Sequence, residues 1–210
     1  MQVTGMKVSI RRWPLTTING VIVILLYCSF TLVSWILFPE PYGPITDYLS
    51  RLGNFDESPI GAYFYNLGCI LTGIALIPFF LSLKIWYTES KPQFILLHIG
   101  QLVGGFAAFA LIMIGIYSED QGQPHLSASS TFFLLNFIVL ILINLALLWH
   151  PAFIKPIALY GFFLDALTLS LEVLMHGPII EWITVFGSLI FVALISINSF
   201  RLSNETGLQS

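Results

Sequence analysis

With 57% of its 210 residues apolar, only 9% charged and a mean hydropathy of +0.88, this chain lacks the polar side chains needed to coat a water-soluble globule, in which about 25% of residues are charged. Eight Lys and Arg against eleven Asp and Glu give a net charge of −3, and no basic patch or Arg-rich run is present, which excludes nucleic acid as a partner. Cys28 and Cys69 both lie inside apolar runs, which argues against a disulfide framework and against a cysteine metal site.

A helix needs about 20 mostly apolar residues to cross a bilayer core. Six stretches meet that length, at residues 17–38, 60–87, 94–117, 129–150, 156–176 and 178–200. Backbone polar groups cannot stay unpaired in hydrocarbon, so helices are the form these stretches take. The expected fold is therefore all-α, a six-helix transmembrane bundle forming a single integral membrane domain over residues 1–210. The first stretch follows Lys7, Arg11 and Arg12 as a signal peptide would. It exceeds the signal core of about 7–15 apolar residues, and no small-x-small cleavage site follows it, so it reads as a retained helix.

After the first helix, Ile45, Tyr48, Leu49 and Leu52 recur at helical spacing, with Asp47, Ser50 and Arg51 on the other side. This predicts a short amphipathic helix lying at the membrane interface. In the third helix, Gly100, Gly104 and Ala108 stand four residues apart, a spacing that lets helices approach closely. The stripe serves packing within the chain, with a homo-oligomer seam as the alternative. His98, near the start of that helix, reads as a hydrogen-bonded structural histidine. The third loop carries Glu119, Asp120 and His125, and the hydroxyls of Ser127, Ser129 and Ser130 are candidate caps for the fourth helix. In the fifth helix, Asp165, Glu172 and His176 are separated by seven and four residues, which keeps them on one face. An ionised carboxylate at mid-bilayer costs about 2.5–3.5 kcal/mol on insertion scales, so both acids should point into the bundle. His176-Gly177-Pro178 is short enough to require a tight hairpin into the sixth helix.

Orientation follows from Lys and Arg. In a six-span arrangement Lys7, Arg11, Arg12, Lys84, Lys91, Lys155 and Arg201 fall on one side and Arg51 alone on the other. That bias predicts a multi-pass protein of the cell membrane with both termini cytoplasmic. Most of the acids and imidazoles, including Asp47, Glu119, Asp120, His125, His176 and Glu181, then fall on the extracytoplasmic side.

Three functions suit this polar rim. The first is a lipid-associated, sensing or assembly protein, with membrane lipids as partners, in which the rim ties the first and third loops together. The second is a metal-dependent lipid hydrolase or transferase at the outer leaflet. There His125, His176 and Asp120 are candidate ligands for a zinc ion, Glu181, Glu172 and Ser50 are candidate catalytic groups, and Arg51, Asp47 and Asn66 are candidates for binding the ligand. Zinc would lower the pKa of a bound water to about 7. The third is a proton-coupled carrier with Asp165 as an intramembrane acid beside Glu172. Arg51 has two further readings, a salt bridge to Asp120 or Glu181, or a hold on a lipid phosphate.

Several segments in order resemble one family. Asp47-Tyr-Leu-Ser50-Arg-Leu-Gly53 is similar to the Tyr-Leu-Ser-x-Leu-Gly segment that follows the first helix in domain of unknown function 998, a widespread prokaryotic membrane family. Tyr65-Asn66-Leu-Gly68 looks like its second-helix opening, and Glu119-Asp120-x-Gly122-x-x-His125 resembles its loop before the fourth helix, with Ser118 where the family has proline. Glu181 matches a glutamate common at that place. The resemblance implies a six-helix bundle and little about chemistry. A more distant likeness is to six-span proteins of the Frag1/DRAM/Sfk1 type, some of which are linked to lipid remodelling or distribution.

Overall fold

The computed structural model describes residues 13–207, so the N-terminal Lys7, Arg11 and Arg12 used for the orientation lie outside the described residues. Six helices follow in order: α1 (Leu15–Ile36), α2 (Gly61–Ser82), α3 (Lys91–Ile116), α4 (Gln123–Leu148), α5 (Lys155–Leu174) and α6 (Pro178–Gly207). All six are long and apolar enough to cross a membrane. Short 3-10 turns at Leu49–Gly53, Leu83–Trp86 and Glu119–Gln121 cover the helix ends.

Prolines explain three of the helix starts. Pro92, Pro124 and Pro156 each occupy a first helical turn, where the missing N–H costs nothing and the fixed φ favours entry. The largest shift of a helix start is at α4, which begins at Gln123 rather than near Ser129. Gly122, at φ 68°, turns the chain just before it. His125 therefore sits inside the first turn of α4, and no serine hydroxyl caps that helix. At the other end of the chain, α6 runs past Phe200 through polar residues that water can solvate.

Small residues set the helix spacing. A methyl group added at Gly68 would lie 2.5 Å from Phe30 of α1. One added at Gly73 would lie 2.7 Å from the Ala108 carbonyl of α3. The α3 stripe packs within the chain: Gly104 lies under the Phe80 ring of α2, and Gly100 faces Ile143 of α4. α6 returns against α1, where Thr17 donates to the Ser196 carbonyl at 2.8 Å. Outward, Leu102, Phe106 and Phe109 form a stripe on α3, each more than half exposed. Such a patch suits hydrocarbon as its solvent.

Two helices diverge. At the end carrying Lys155, α4 and α5 touch: an added Cβ at Gly161 would stand 2.0 Å from the Asn144 Nδ2. Towards the opposite end they separate, leaving a wedge between α4 on one side and α5 with α6 on the other.

Candidate functional site

The wedge is a cleft of about 980 Å³. Its α4 wall presents His125, Ser129, Phe133, Leu134, Asn136 and Phe137, and its α5 wall presents Asp165, Thr168, Leu169 and Glu172. Ile180, Glu181 and Thr184 of α6 close the back, and Ser50 and Glu119 stand at the rim. Leu134 and Leu169 line it while more than half exposed, so the cleft opens between α4 and α5 at a depth that hydrocarbon would occupy. Asn136, which donates to Ser188 Oγ at 3.1 Å, also lines a small apolar void of about 80 Å³ among α1, α2, α3, α4 and α6.

The rim is a set of stitches between loops and helices. The backbone N–H and the hydroxyl of Ser50 approach Glu181 Oε2 at 3.3 and 3.4 Å. Trp182 donates its indole N–H to the Asp47 carbonyl at 2.9 Å. Asn54 donates to Glu119, and the Phe55 N–H donates to Asp120 at 3.1 Å, joining the first loop to the third. Beneath them Trp35, Tyr42, Trp182 and Phe186 form a contiguous aromatic layer.

Arg51 corrects one expectation. It pairs with Asp47 and Glu57, and its guanidinium stands 5.9 Å from the centre of the Phe38 ring. It bonds neither Asp120 nor Glu181 and has two carboxylates already upon it. The Thr46 hydroxyl, 2.6 Å from Asp47 Oδ2, together with the Gly43 N–H and Arg51, holds the Asp47 carboxyl below its ordinary range. The Asp120 carboxyl is pushed up by partial burial, yet hydrogen bonds from the Phe55 N–H and the Ser118 hydroxyl bring it net below its ordinary range.

The first loop is also turned differently from its periodicity. Leu49 and Leu52 are fully buried, but Ile45 is 82% and Tyr48 53% exposed, while Asp47 is buried. The segment forms a 3-10 turn, not an amphipathic helix. Asn66 donates to the Gly53 carbonyl at 2.9 Å and so holds that turn down on α2.

His125 is held at both ring nitrogens, with Nδ1 2.7 Å from the Tyr117 carbonyl and Nε2 3.1 Å from Ser129 Oγ. His176 is not on the α5 face. The helix ends at Leu174, His176 turns into the left-handed region at φ 43°, and its exposed ring lies 3.4 Å from Glu172. Among the described residues no three His, Cys, Asp or Glu side chains are grouped closely enough to hold a metal ion, so His125, His176 and Asp120 do not form a ligand set. Cys28 and Cys69 are free thiols. Elsewhere His98 accepts or donates at 3.1 Å to Tyr87 and stacks on Phe94, a structural role away from the cleft.

Asp165 is where insertion cost placed it, inside the bundle and 5% exposed. The uncharged polar side chains of the helices do not bond its carboxylate. Asn66 and Asn136 bond other groups, Asn144 faces Gly161, and the Thr168 hydroxyl donates back to the Leu164 carbonyl at 3.0 Å. Glu172, by contrast, is exposed at the mouth of the cleft. Sequence reasoning missed the Phe133 and Phe137 wall, because α4 is apolar on every side and periodicity singles out no face.

Helices of this number, length and apolarity, with carboxylates gathered at one end, define a six-span integral membrane protein. The chain belongs to the DUF998 family of proteins of unknown function, whose model matches residues 21–198. No curated protein and no solved structure matches it.

Proposed function

We propose that this protein is a lipid-associated membrane protein that admits one amphiphilic molecule from the bilayer into the cleft between α4, α5 and α6. Its termini lie in the cytoplasm and the cleft mouth opens on the extracytoplasmic side of the cell membrane. The observation that carries this reading is the shape and lining of the cleft. It is apolar along Phe133, Leu134, Phe137 and Leu169, polar at its mouth, and open to the hydrocarbon zone between two helices. Its volume lies in the range of pockets that bury small ligands, about 300–1,000 Å³. The stitched loops support a binding rather than a catalytic role. Glu181 and Ser50 bond each other across the rim, and the His125 ring is engaged on both sides, so each already has a structural task. Orientation is supported by Lys84, Lys91, Lys155 and Arg201 at the end opposite the cleft mouth.

The test is native mass spectrometry of the full-length protein after extensive detergent exchange. One retained amphiphile per chain is expected, and it should be lost from Thr184→Trp, which fills the back wall. A protein that retains nothing, or a Thr184→Trp variant that retains as much as the parent, refutes the reading.

A further inference from the structure

The polar chemistry of the cleft has one sign. Glu119, Glu172, Glu181 and Asp165 line it, and no Lys or Arg does. Arg51 is the sole Lys or Arg among the described residues at this end, and Asp47 and Glu57 already neutralise it. An anionic head group would meet four carboxylates and no free cation.

The four acids are not equivalent. Glu119 accepts from Asn54, Glu181 receives Ser50, and Glu172 lies beside His176, so each rim acid has a partner. Asp165 lies deeper, ten residues into a twenty-residue helix, and is buried to all but 5%. Among the described residues neither of its carboxylate oxygens has a hydrogen-bond partner, and Oδ2 is fully buried without one. A buried carboxylate in that condition is destabilising unless a ligand completes it. Across the cleft, Phe133 and Phe137 stand one helical turn apart on α4. Aromatic faces attract cations, and desolvation strengthens the attraction.

We infer that the occupant of this cleft is a lipophilic organic cation, an amine or onium centre on an apolar body, with Asp165 as its counter-ion and Phe133 and Phe137 as the facing aromatic wall. The inference rests on the cleft being an amphiphile site and names the class of molecule that site selects. Neutral lipids fit the apolar walls but leave Asp165 uncompensated, and anionic lipids are repelled.

Tetraphenylphosphonium and tetraphenylborate are near-equal in size and opposite in charge, and neither titrates. Binding of each to the full-length protein in nanodiscs, with empty nanodiscs subtracted, reads the charge preference directly. The cation should bind at least tenfold more tightly than the anion. Asp165→Asn should weaken the cation by tenfold or more, while Asp165→Glu, which keeps the charge, should restore most of the affinity. Thermal unfolding of both variants reports whether they are folded. Equal binding of the two ions, or an Asp165→Asn variant that binds the cation as tightly as the parent, overturns the cation assignment. If Thr184→Trp still empties the cleft of its retained amphiphile in that case, the amphiphile site stands and only its charge selection falls. If Thr184→Trp changes neither amphiphile retention nor ion binding, the cleft is not the site and both readings fall.

Discussion

The contact between Gly161 and Asn144 closes the narrow end of the wedge, and adding one methyl group to it gives a calculable result. A Cβ at residue 161 would stand 2.0 Å from Asn144 Nδ2 and 2.8 Å from its Cγ, about 1.4 Å short of ordinary van der Waals contact. Asn144 is completely buried, so its amide has no open space to swing into. Gly161→Ala must therefore push α5 from α4 or force the amide off its rotamer. Overpacking of this kind costs about 1–3 kcal/mol, against which the better helix propensity of Ala returns at most about 1 kcal/mol. Asn144 also carries two polar atoms without partners, so shortening it removes an uncompensated amide as well as the clash. Gly161→Ala alone should lose stability in a reversible detergent-unfolding titration, and Asn144→Ala combined with Gly161→Ala should recover most of it. The two changes would then be coupled by 1 kcal/mol or more, in the range seen for residues in contact. A Gly161→Ala protein as stable as the parent, or a double variant whose losses simply add, would show that the helices do not meet there.

Neighbouring glycines of α3 offer a second comparison. Gly104→Ala should destabilise, because its Cβ would fall 2.6 Å from the Phe80 ring, whereas Gly105→Ala meets nothing within 4 Å and should be neutral or slightly stabilising in the same titration. The depressed Asp47 carboxyl makes a pH prediction. A folded-state pKa below the unfolded value of about 3.9 contributes stability that is complete above that value and is lost as pH falls through the folded one. Limited proteolysis of the first loop should therefore accelerate below about pH 4, and Asp47→Asn should flatten that dependence. For orientation, a cysteine at Gln121 should react with a membrane-impermeant maleimide in intact cells, and one at Thr88 only after permeabilisation; the reverse pattern refutes the cytoplasmic placement of the termini.

How much of this was legible in the sequence depended on whether the bilayer or the neighbouring helices made the decision. Six spans were legible because hydrocarbon imposes length and apolarity on each segment separately. The burial of Asp165 was legible for the same reason, since the cost of exposing its charge to lipid is local to the residue. The first loop was misread because its periodicity favoured Ile45 and Tyr48 as its inward side, whereas the bundle end offered polar partners instead. Asp47 turns in to meet the Gly43 N–H, Thr46 and Arg51, and its carbonyl receives Trp182. Those groups come from the loop's own fold and from a helix some 135 residues away, and no spacing rule within the loop encodes them. His176 was assigned to the α5 face by extending a regular helix two residues beyond its end. The cleft was illegible because its walls are made by the separation of α4 from α5 beyond their close approach at Gly161 and Asn144, a relation between two helices that neither segment's own periodicity records.

The same divergence makes the two halves of α5 unequal, which gives a final prediction. Its buried residues are Ile157, Ala158, Gly161, Leu164, Asp165 and Thr168, and none follows Thr168. Beyond that point Leu169, Val173, Leu174 and Met175 are all more than half exposed. A segment with so few buried contacts opens at low free energy, while the half packed on α4 and α6 opens only with the bundle. Amide hydrogen exchange in detergent should therefore be faster over residues 169–175 than over residues 157–168. The slower set includes the close contact with α4, and the faster set borders the mouth of the cleft. A molecule lodged in the cleft lies against Asp165, Thr168, Leu169 and Glu172, so adding tetraphenylphosphonium should slow exchange most in the outer half, which has the least protection without it. Uniform exchange along α5, or protection spread evenly over both halves, would mean that the helix moves as one rigid rod and that the cleft mouth is not its mobile part.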